Sequence, residues 1–210
     1  MPKTAVIIGP QDRGRLMSLA EFDHADVQPG YVYELGRGII VVSDVPSRPH
    51  FAQVNAARRQ FSAYDLAYPG RIHAIGTGSE CKLLIGMFDS ERHPDLAIYK
   101  YPPLNDDNLW AVWIPNIAIE IVSEGSQDRD YILKREEYWQ FGVGEYWILD
   151  AFRRELLVLR RGKHDWKQIR VRPPKLYKTR LLPGFAFDCG LVFEAAKAAG
   201  LRNGWNGGKE

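Results

Sequence analysis

Apolar and polar positions along the chain change their period several times, and each change marks an element. Tyr31-Val-Tyr-Glu-Leu35 and Ile39-Ile-Val-Val-Ser43 are rich in β-branched and aromatic residues and flank Gly36-Arg37-Gly38, which predicts a hairpin. Upstream, Ser18-Leu-Ala-Glu21 has capping-box spacing and predicts a short helix from Leu19 to about Asp26. After Pro46 and Pro49, the stretch His50 to Tyr64 places Phe51, Val54, Ala57/Arg58 and Phe61 at helical spacing. From Arg71 to Ile85 two short strands are expected around Gly76-Thr77-Gly78, then a charged loop, then a strand opening at Asp95. Ile117 to Val122 is an almost unbroken apolar run, the mark of a strand buried on both faces, with Glu120 as its one anomaly. Tyr131 to Phe141 predicts a helix stopped by Gly142, and Glu145 to Asp150 a further buried strand. Arg154 to Arg160, Trp166 to Val171 and Tyr177 to Leu182 then read as a meander, and Leu191 to Ala199 as a closing helix.

From the helix at His50 onward the order is αβββαβ. That implies an α/β or α+β fold in which one mixed sheet is flanked by helices, with an added N-terminal hairpin and C-terminal meander. No repeat or proline-rich linker divides the chain, so residues 1–210 are expected to form one domain, with a core of about 16–192 and a flexible tail of about 201–210. A 45% hydrophobic content suffices for one sizeable core. No stretch is apolar enough to span a bilayer and the N-terminal apolar run is too short for a signal peptide, so a cytoplasmic location is expected, away from membranes. Cys81 and Cys189 are far apart and form no zinc-type cluster; both are expected to be reduced and structural.

The net charge of +2 hides an uneven distribution. Residues 1–150 carry 14 Lys/Arg against 21 Asp/Glu, a net of −7, whereas residues 151–181 carry 11 against 2, a net of +9. An acidic body beside a basic strip suits an enzyme that holds cations and acts on a polyanion. Arg153, Arg154, Arg160, Arg161, Lys163, Lys167 and Arg170 are therefore the candidate nucleic-acid contacts, interleaved with Trp166 and Tyr177. A solvated hairpin with charged edges would have the same composition.

A carboxylate inside a buried strand costs several kcal/mol unless it is paired or bound to a cation, so Glu120 needs a partner. Asp95 opens the preceding strand directly after Pro94, and neighbouring strands lie about 4.8 Å apart, close enough for two acids to share an ion. A salt bridge from Glu120 to an arginine would satisfy the same need.

These residues sit within a wider pattern. HPDLAIYK with Asp95, PNIAIEIVS with Glu120, and DRDYILKREEYWQFGVGEYWILD with Lys134, Tyr138, Gly142-Val143 and Asp150 follow one another, preceded by YELGRG with Glu34 and RPH with His50. From about Leu16 to Val192 the chain resembles the Uma family of proposed restriction endonucleases. The resemblance implies the PD-(D/E)XK nuclease core, with Asp95 and Glu120 as metal-binding acids. Two residues after the glutamate, where that superfamily usually carries lysine, stands Val122. In the family resembled, the lysine has moved to the following helix, and Lys134 matches that position. Read without the resemblance, Lys134 would pair with Asp130 on an exposed helix face. Glu34 could be a third acid at the metal or an exposed hairpin residue, and His50 an accessory base or a capping residue. Glu124-Gly125 departs from the family in a loop.

The expectation is therefore a magnesium-dependent endonuclease hydrolysing DNA, with Mg2+ or Mn2+ held by Asp95, Glu120, the Ile121 carbonyl and Glu34, and Lys134 as an electrostatic aid. A non-catalytic nucleic-acid-binding or interaction module with the same fold is the alternative, and RNA or a small phosphoester is an alternative substrate. A homodimer is expected if both strands are cut.

Overall fold

The computed structural model describes residues 6–104 and 107–201, so the expected tail lies, from residue 202 on, outside the described residues. In chain order the strands are β1 (Ile7–Ile8), β2 (Asp26–Val27), β3 (Tyr31–Gly36), β4 (Ile39–Asp44), β5 (Ala74–Gly76) and β6 (Leu83–Ile85). They continue with β7 (Ser90–Arg92), β8 (Leu96–Tyr99), β9 (Ile117–Ile121), β10 (Glu145–Asp150), β11 (Glu155–Arg161) and β12 (Trp166–Val171). The helices are α1 (Leu19–Asp23), α2 (Arg48–Ala67), α3 (Leu109–Val112), α4 (Lys134–Phe141) and α5 (Cys189–Ala198).

Six strands form the main sheet in the order β12-β11-β10-β9-β8-β5, and β4-β3-β7-β6 form a second sheet. Only β9 and β10 run parallel in the main sheet. The αβββαβ order therefore holds as α2, β5, β8, β9, α4, β10, but one expectation needs correction. The two strands around Gly76-Thr77-Gly78 do not lie in one sheet, because β6 turns away to pair with β7 beside the N-terminal hairpin. The supposed charged loop contains β7 itself, whose Ser90, Glu91 and Arg92 are all buried. A second correction concerns the meander, in which Tyr177 to Leu182 is no strand and Tyr177 makes only an isolated bridge to Phe187. Beyond β12 come Pro173 and Pro174, which have no N–H to continue a ladder.

The two faces of the main sheet bury different cores. One face carries Ile117, Ile119, Trp147, Leu149, Leu156 and Val158, packed with Ala57 and Phe61 of α2 and Val192 and Phe193 of α5. Helix α2 buries Gln53, Ala57, Phe61 and Tyr64 with Val54 packed beside them, so the expected stripe holds at Val54, Ala57 and Phe61 and fails at Phe51, which is exposed. Its cap is Ser47, whose side chain accepts from the His50 amide, and this puts His50 inside the first turn. The other face carries Ala118, Val122, Tyr146, Ile148, Leu157 and Leu159 against Tyr138 of α4.

The N-terminal sheet docks beside α4 through charge. The hairpin turn holds Arg37 at φ 53° and Gly38 at φ 74°, the left-handed pair of a tight two-residue connection. Arg37 reaches Glu136 at 2.6 Å and Glu137 at 3.4 Å. A side chain at Gly36 would lie 2.6 Å from an Arg92 guanidinium nitrogen, so glycine leaves room for that buried cation.

Candidate active site

Register brings the two strand acids together. Leu96 pairs with Ile119 in the antiparallel β8/β9 ladder, so one step further Asp95 falls beside Glu120 on the face that α4 covers. Asp95 Oδ2 accepts a 2.7 Å hydrogen bond from the Ile121 amide and lies 3.2 Å from His50 Nε2. His50 Nδ1 is buried without a hydrogen-bond partner. Burial opposes the charged form of His50, but Asp95 more than compensates, so its affinity for a proton is raised.

Lys134 opens α4 and reaches the same place. Its ammonium lies 3.0 Å from Glu120 Oε2, 3.3 Å from Glu34 Oε1 and 3.9 Å from Asp130 Oδ1. The helix approaches through a π-helical segment, Arg129–Leu133, and Asp130, Lys134, Glu137 and Tyr138 all turn inward. Wide turns of this kind are frequent at functional sites. Asp130 therefore does not hold the lysine at the surface; it is a third buried acid around it, fixed by a 2.5 Å hydrogen bond from Ser126. Glu34 is buried too, which settles its position at the site rather than on the hairpin surface.

The acids differ in electrostatics although they share one cation. Burial pushes the Glu120 carboxyl up to about 8, Lys134 lowers it, and Asp95, Asp130 and Glu34 raise it further. Tyr138 donates a 2.5 Å hydrogen bond to its Oε1. Glu34 is also buried, but Lys134, Arg92, Arg129 and the His93 amide outweigh that cost and hold it near 2. Asp130 is raised chiefly by burial, and Lys134 is raised because the three acids overcome its own desolvation. Behind Glu34, the fully buried Arg92 forms a two-pronged pair with Glu137 at 2.7 and 3.1 Å and approaches Glu34 at 3.5 Å.

Among the described residues no group of three or more His, Cys, Asp or Glu side chains is placed to hold a metal ion. The candidate donors for a cation are Asp95 and Glu120, adjacent in register, with Glu120 sharing its charge with Lys134 and Tyr138. Glu34 is committed to Lys134, Arg92 and the His93 amide. Two hard oxygen donors suit magnesium, which keeps several of its own waters. Burial first, and then the neighbouring Asp95, Asp130 and Glu34, oppose the charged form of Glu120, and a bound cation would offset both effects.

The basic strip divides between the two ends of the sheet. Arg153 lies 3.6 Å from Asp150 and its guanidinium sits over the Tyr131 ring at 5.3 Å. Arg170 and Arg172 both pair with Glu155, and Arg154 with Glu194 of α5. At the other end Arg160 pairs in register with Lys167, Lys163 lies in the turn, and Arg161 stacks over Trp139 at 4.3 Å while donating to its carbonyl. Trp166 and Tyr177 are buried and hydrogen-bonded to the Arg135 carbonyl and to Glu145.

A mixed sheet with paired strand acids and a helical lysine defines a nuclease-like protein. The chain belongs to the Uma2 family, described as "Putative restriction endonuclease", whose profile matches residues 19–190. Its fold is similar to the crystal structure of a "putative nuclease belonging to DUF820" from Anabaena variabilis. That likeness has a TM-score of 0.68 at 17% identity and covers 86% of this chain and 99% of the other. No protein with a curated description matches the sequence. No helix among the described residues is long and apolar enough to cross a membrane.

The structure brings the expected Asp95, Glu120 and Lys134 into one place, and adds Arg92, Glu137 and an inward-facing Asp130 that sequence reasoning missed. Asp130, Lys134 and Tyr138 are spaced four residues apart, a stripe that could have shown Asp130 facing inward. Nothing in Ser90-Glu91-Arg92 signals a buried strand.

Proposed function

We propose that the protein is a metal-dependent nuclease that hydrolyses phosphodiester bonds in DNA. The observation that carries this reading is the Lys134 ammonium 3.0 Å from Glu120, on the sheet face where Asp95 is the next acid in register. Asp95 and Glu120, with the Ile121 carbonyl, would hold magnesium or manganese. When bound, such an ion supplies Lewis acidity toward the scissile phosphate and a more acidic attacking water. The chain's own groups do the rest. The Ile121 amide and His50 orient Asp95, Tyr138 orients Glu120, and Lys134 supplies a fixed positive charge for the electron-rich phosphoryl group. Glu34 and Asp130 keep that ammonium aimed and protonated. With one acid pair per chain, cutting both strands of a duplex takes two copies, which sedimentation with bound DNA would reveal.

The rival reading is a binding module without chemistry, favoured by the fact that an ammonium already neutralises part of the acid cluster. A protein that only binds phosphates, however, gains nothing from burying Glu34, Glu120 and Asp130 beside its contact face. The deciding experiment incubates supercoiled DNA, linear duplex DNA and RNA with the protein and magnesium, manganese or chelator. Metal-dependent cleavage of DNA by the wild type and none by Asp95→Asn is expected. Cleavage that persists in chelator, or in Asp95→Asn, would overturn the assignment.

A further inference from the structure

The excess of positive charge after Asp150 has a geometry that its composition conceals. In the main sheet Glu120 stands in register with Ile148, Ile148 with Leu157, and Leu157 with Arg170. Residues in one such row point to the same face, so Arg170 leaves the sheet on the side of the acid pair. Three strand spacings separate it from Glu120, about 14 Å. One row nearer the sheet end, Asp150 pairs with Glu155, and Arg172 follows Val171 on the neighbouring strand. The antiparallel turns carry Arg160, Lys163 and Lys167 to the opposite end.

Three guanidiniums are held at the acid-pair end in the same way. Glu155 and Asp150 are buried, with 3% and 2% exposure. Glu155 takes Arg170 and Arg172, while Asp150 takes Arg153, its amide and the Tyr131 hydroxyl. The side chains of Arg153, Arg170 and Arg172 nevertheless remain 53%, 55% and 68% exposed. Each guanidinium has five donors, of which the carboxylate uses only part. The outward donors are thus fixed in direction before any ligand arrives, which lowers the ordering cost of a phosphate contact. Beside Arg153 a cleft opens at the Asp150 end of the sheet, lined by Gln127, Asp150, Phe152 and Arg153.

We propose that Arg153, Arg170 and Arg172 form a clamp for a polynucleotide phosphodiester backbone. The offset of Arg170 from Glu120 across the sheet, about 14 Å, is of the order of the major-groove width, about 12 Å. A duplex lying along this end of the sheet is held by the clamp on one side of a groove while the phosphate on the other side meets Asp95 and Glu120. The register with the acid pair rests on the nuclease reading; the backbone contact does not. Were the arginines only neutralising buried acids, removing two of them would leave nucleic-acid affinity untouched.

The test uses the full chain in chelator, so that binding is read without cleavage, and measures affinity for a 30-bp duplex of DNA and of RNA across a salt series. Arg153→Gln/Arg172→Gln leaves Arg170 on Glu155 and the Tyr131 hydroxyl on Asp150, so both buried acids keep a partner. On DNA its plot of log affinity against log salt should flatten by about two units, at roughly 0.9 per phosphate contact. Arg160→Gln/Lys163→Gln/Lys167→Gln at the far end should leave the slope unchanged. If the double variant unfolds, Arg172→Gln alone should flatten it by about one. A flattened slope with DNA, RNA or both supports the clamp and says which backbone it holds. An unchanged slope with both, or a larger effect from the far-end triple, overturns it. Cleavage with magnesium is scored separately: a flattened slope without any wild-type cleavage sinks the nuclease reading alone, and cleavage with an unchanged slope sinks the clamp alone.

Discussion

Replacing Lys134 with methionine tests the centre of the site, because it keeps an unbranched stem of similar length and removes only the charge. The ammonium lies 3.0, 3.3 and 3.9 Å from Glu120, Glu34 and Asp130, and none of the three carboxylate side chains is more than 8% exposed. Removing one partner from a buried ionic cluster costs about 3–5 kcal/mol, a large share of the roughly 5–15 kcal/mol that holds a domain folded. The cost depends on pH in a definite direction. Without the lysine all three acids bind protons more tightly in the folded state, so the folded variant takes up more protons than the unfolded chain and its stability falls as pH rises. Glu120, already near 8 with the lysine present, moves further up. The loss should be near 3–5 kcal/mol at pH 8 and greater by about 1–2 kcal/mol at pH 9.5, where the wild-type Glu120 is ionised beside Lys134 while the variant's carboxyl still holds its proton. Urea unfolding followed by tryptophan fluorescence at the two pH values reads this directly. A loss below about 0.5 kcal/mol at pH 8, the size of an ordinary surface substitution, would refute the reasoning. So would equal losses at both pH values. In the cleavage assay the same variant should lose turnover while keeping its DNA affinity, since its charge acts on the reacting phosphoryl group.

Two further outcomes follow from the same cluster. Glu120 is an acid whose folded value, about 8, lies above its ordinary 4.5, so wild-type stability without metal should decline from pH 4.5 to 8; Glu120→Gln should flatten that decline, leaving the part due to Asp130, His50 and His93, and an unchanged profile would contradict the assignment. Magnesium or manganese at a hundredfold excess over its dissociation constant should stabilise the wild type by about 2.7 kcal/mol in thermal or urea unfolding, and Asp95→Asn should abolish the gain; equal stabilisation of both would place the ion elsewhere.

Much of the fold was legible because its signals are local. Ser18 with Glu21, the run Ile117 to Ile121 with one acid inside it, and Gly142 at φ 105° each record their element within a few residues. What escaped depends on partners distant in sequence. Strand β7 is all polar, and its Arg92 is buried only because Glu137, 45 residues later, and Glu34 of another strand meet it there. The basic strip misled in a similar way. Composition registers nine surplus charges between residues 151 and 181 but not that antiparallel turns send them to opposite ends of a sheet. Periodicity found the α2 stripe at Val54, Ala57 and Phe61 but erred at its margin, where Gln53 rather than Phe51 turns inward.

The position of the lysine follows from what Val122 does. Two residues beyond Glu120, Val122 shares its face by strand alternation, and there it is buried with Tyr138, Val143 and Tyr146. That apolar contact seats α4 on the sheet. A lysine at 122 would have to bring its ammonium into this packing, where burial opposes the charge and no carboxylate of the cluster is its neighbour along the strand except Glu120. With valine there, α4 lies close enough for its first residue to reach Glu120, while the π-helical approach supplies Asp130 and the N-terminal sheet supplies Glu34. The charge is thus held from three elements rather than one. A local motif of acid, any residue and lysine needs only its strand, whereas the arrangement here works only if α4 and the N-terminal sheet are both docked. The buried pair Arg92–Glu137 and the exposed pair Arg37–Glu136, which look remote from the chemistry, are therefore part of what aims Lys134.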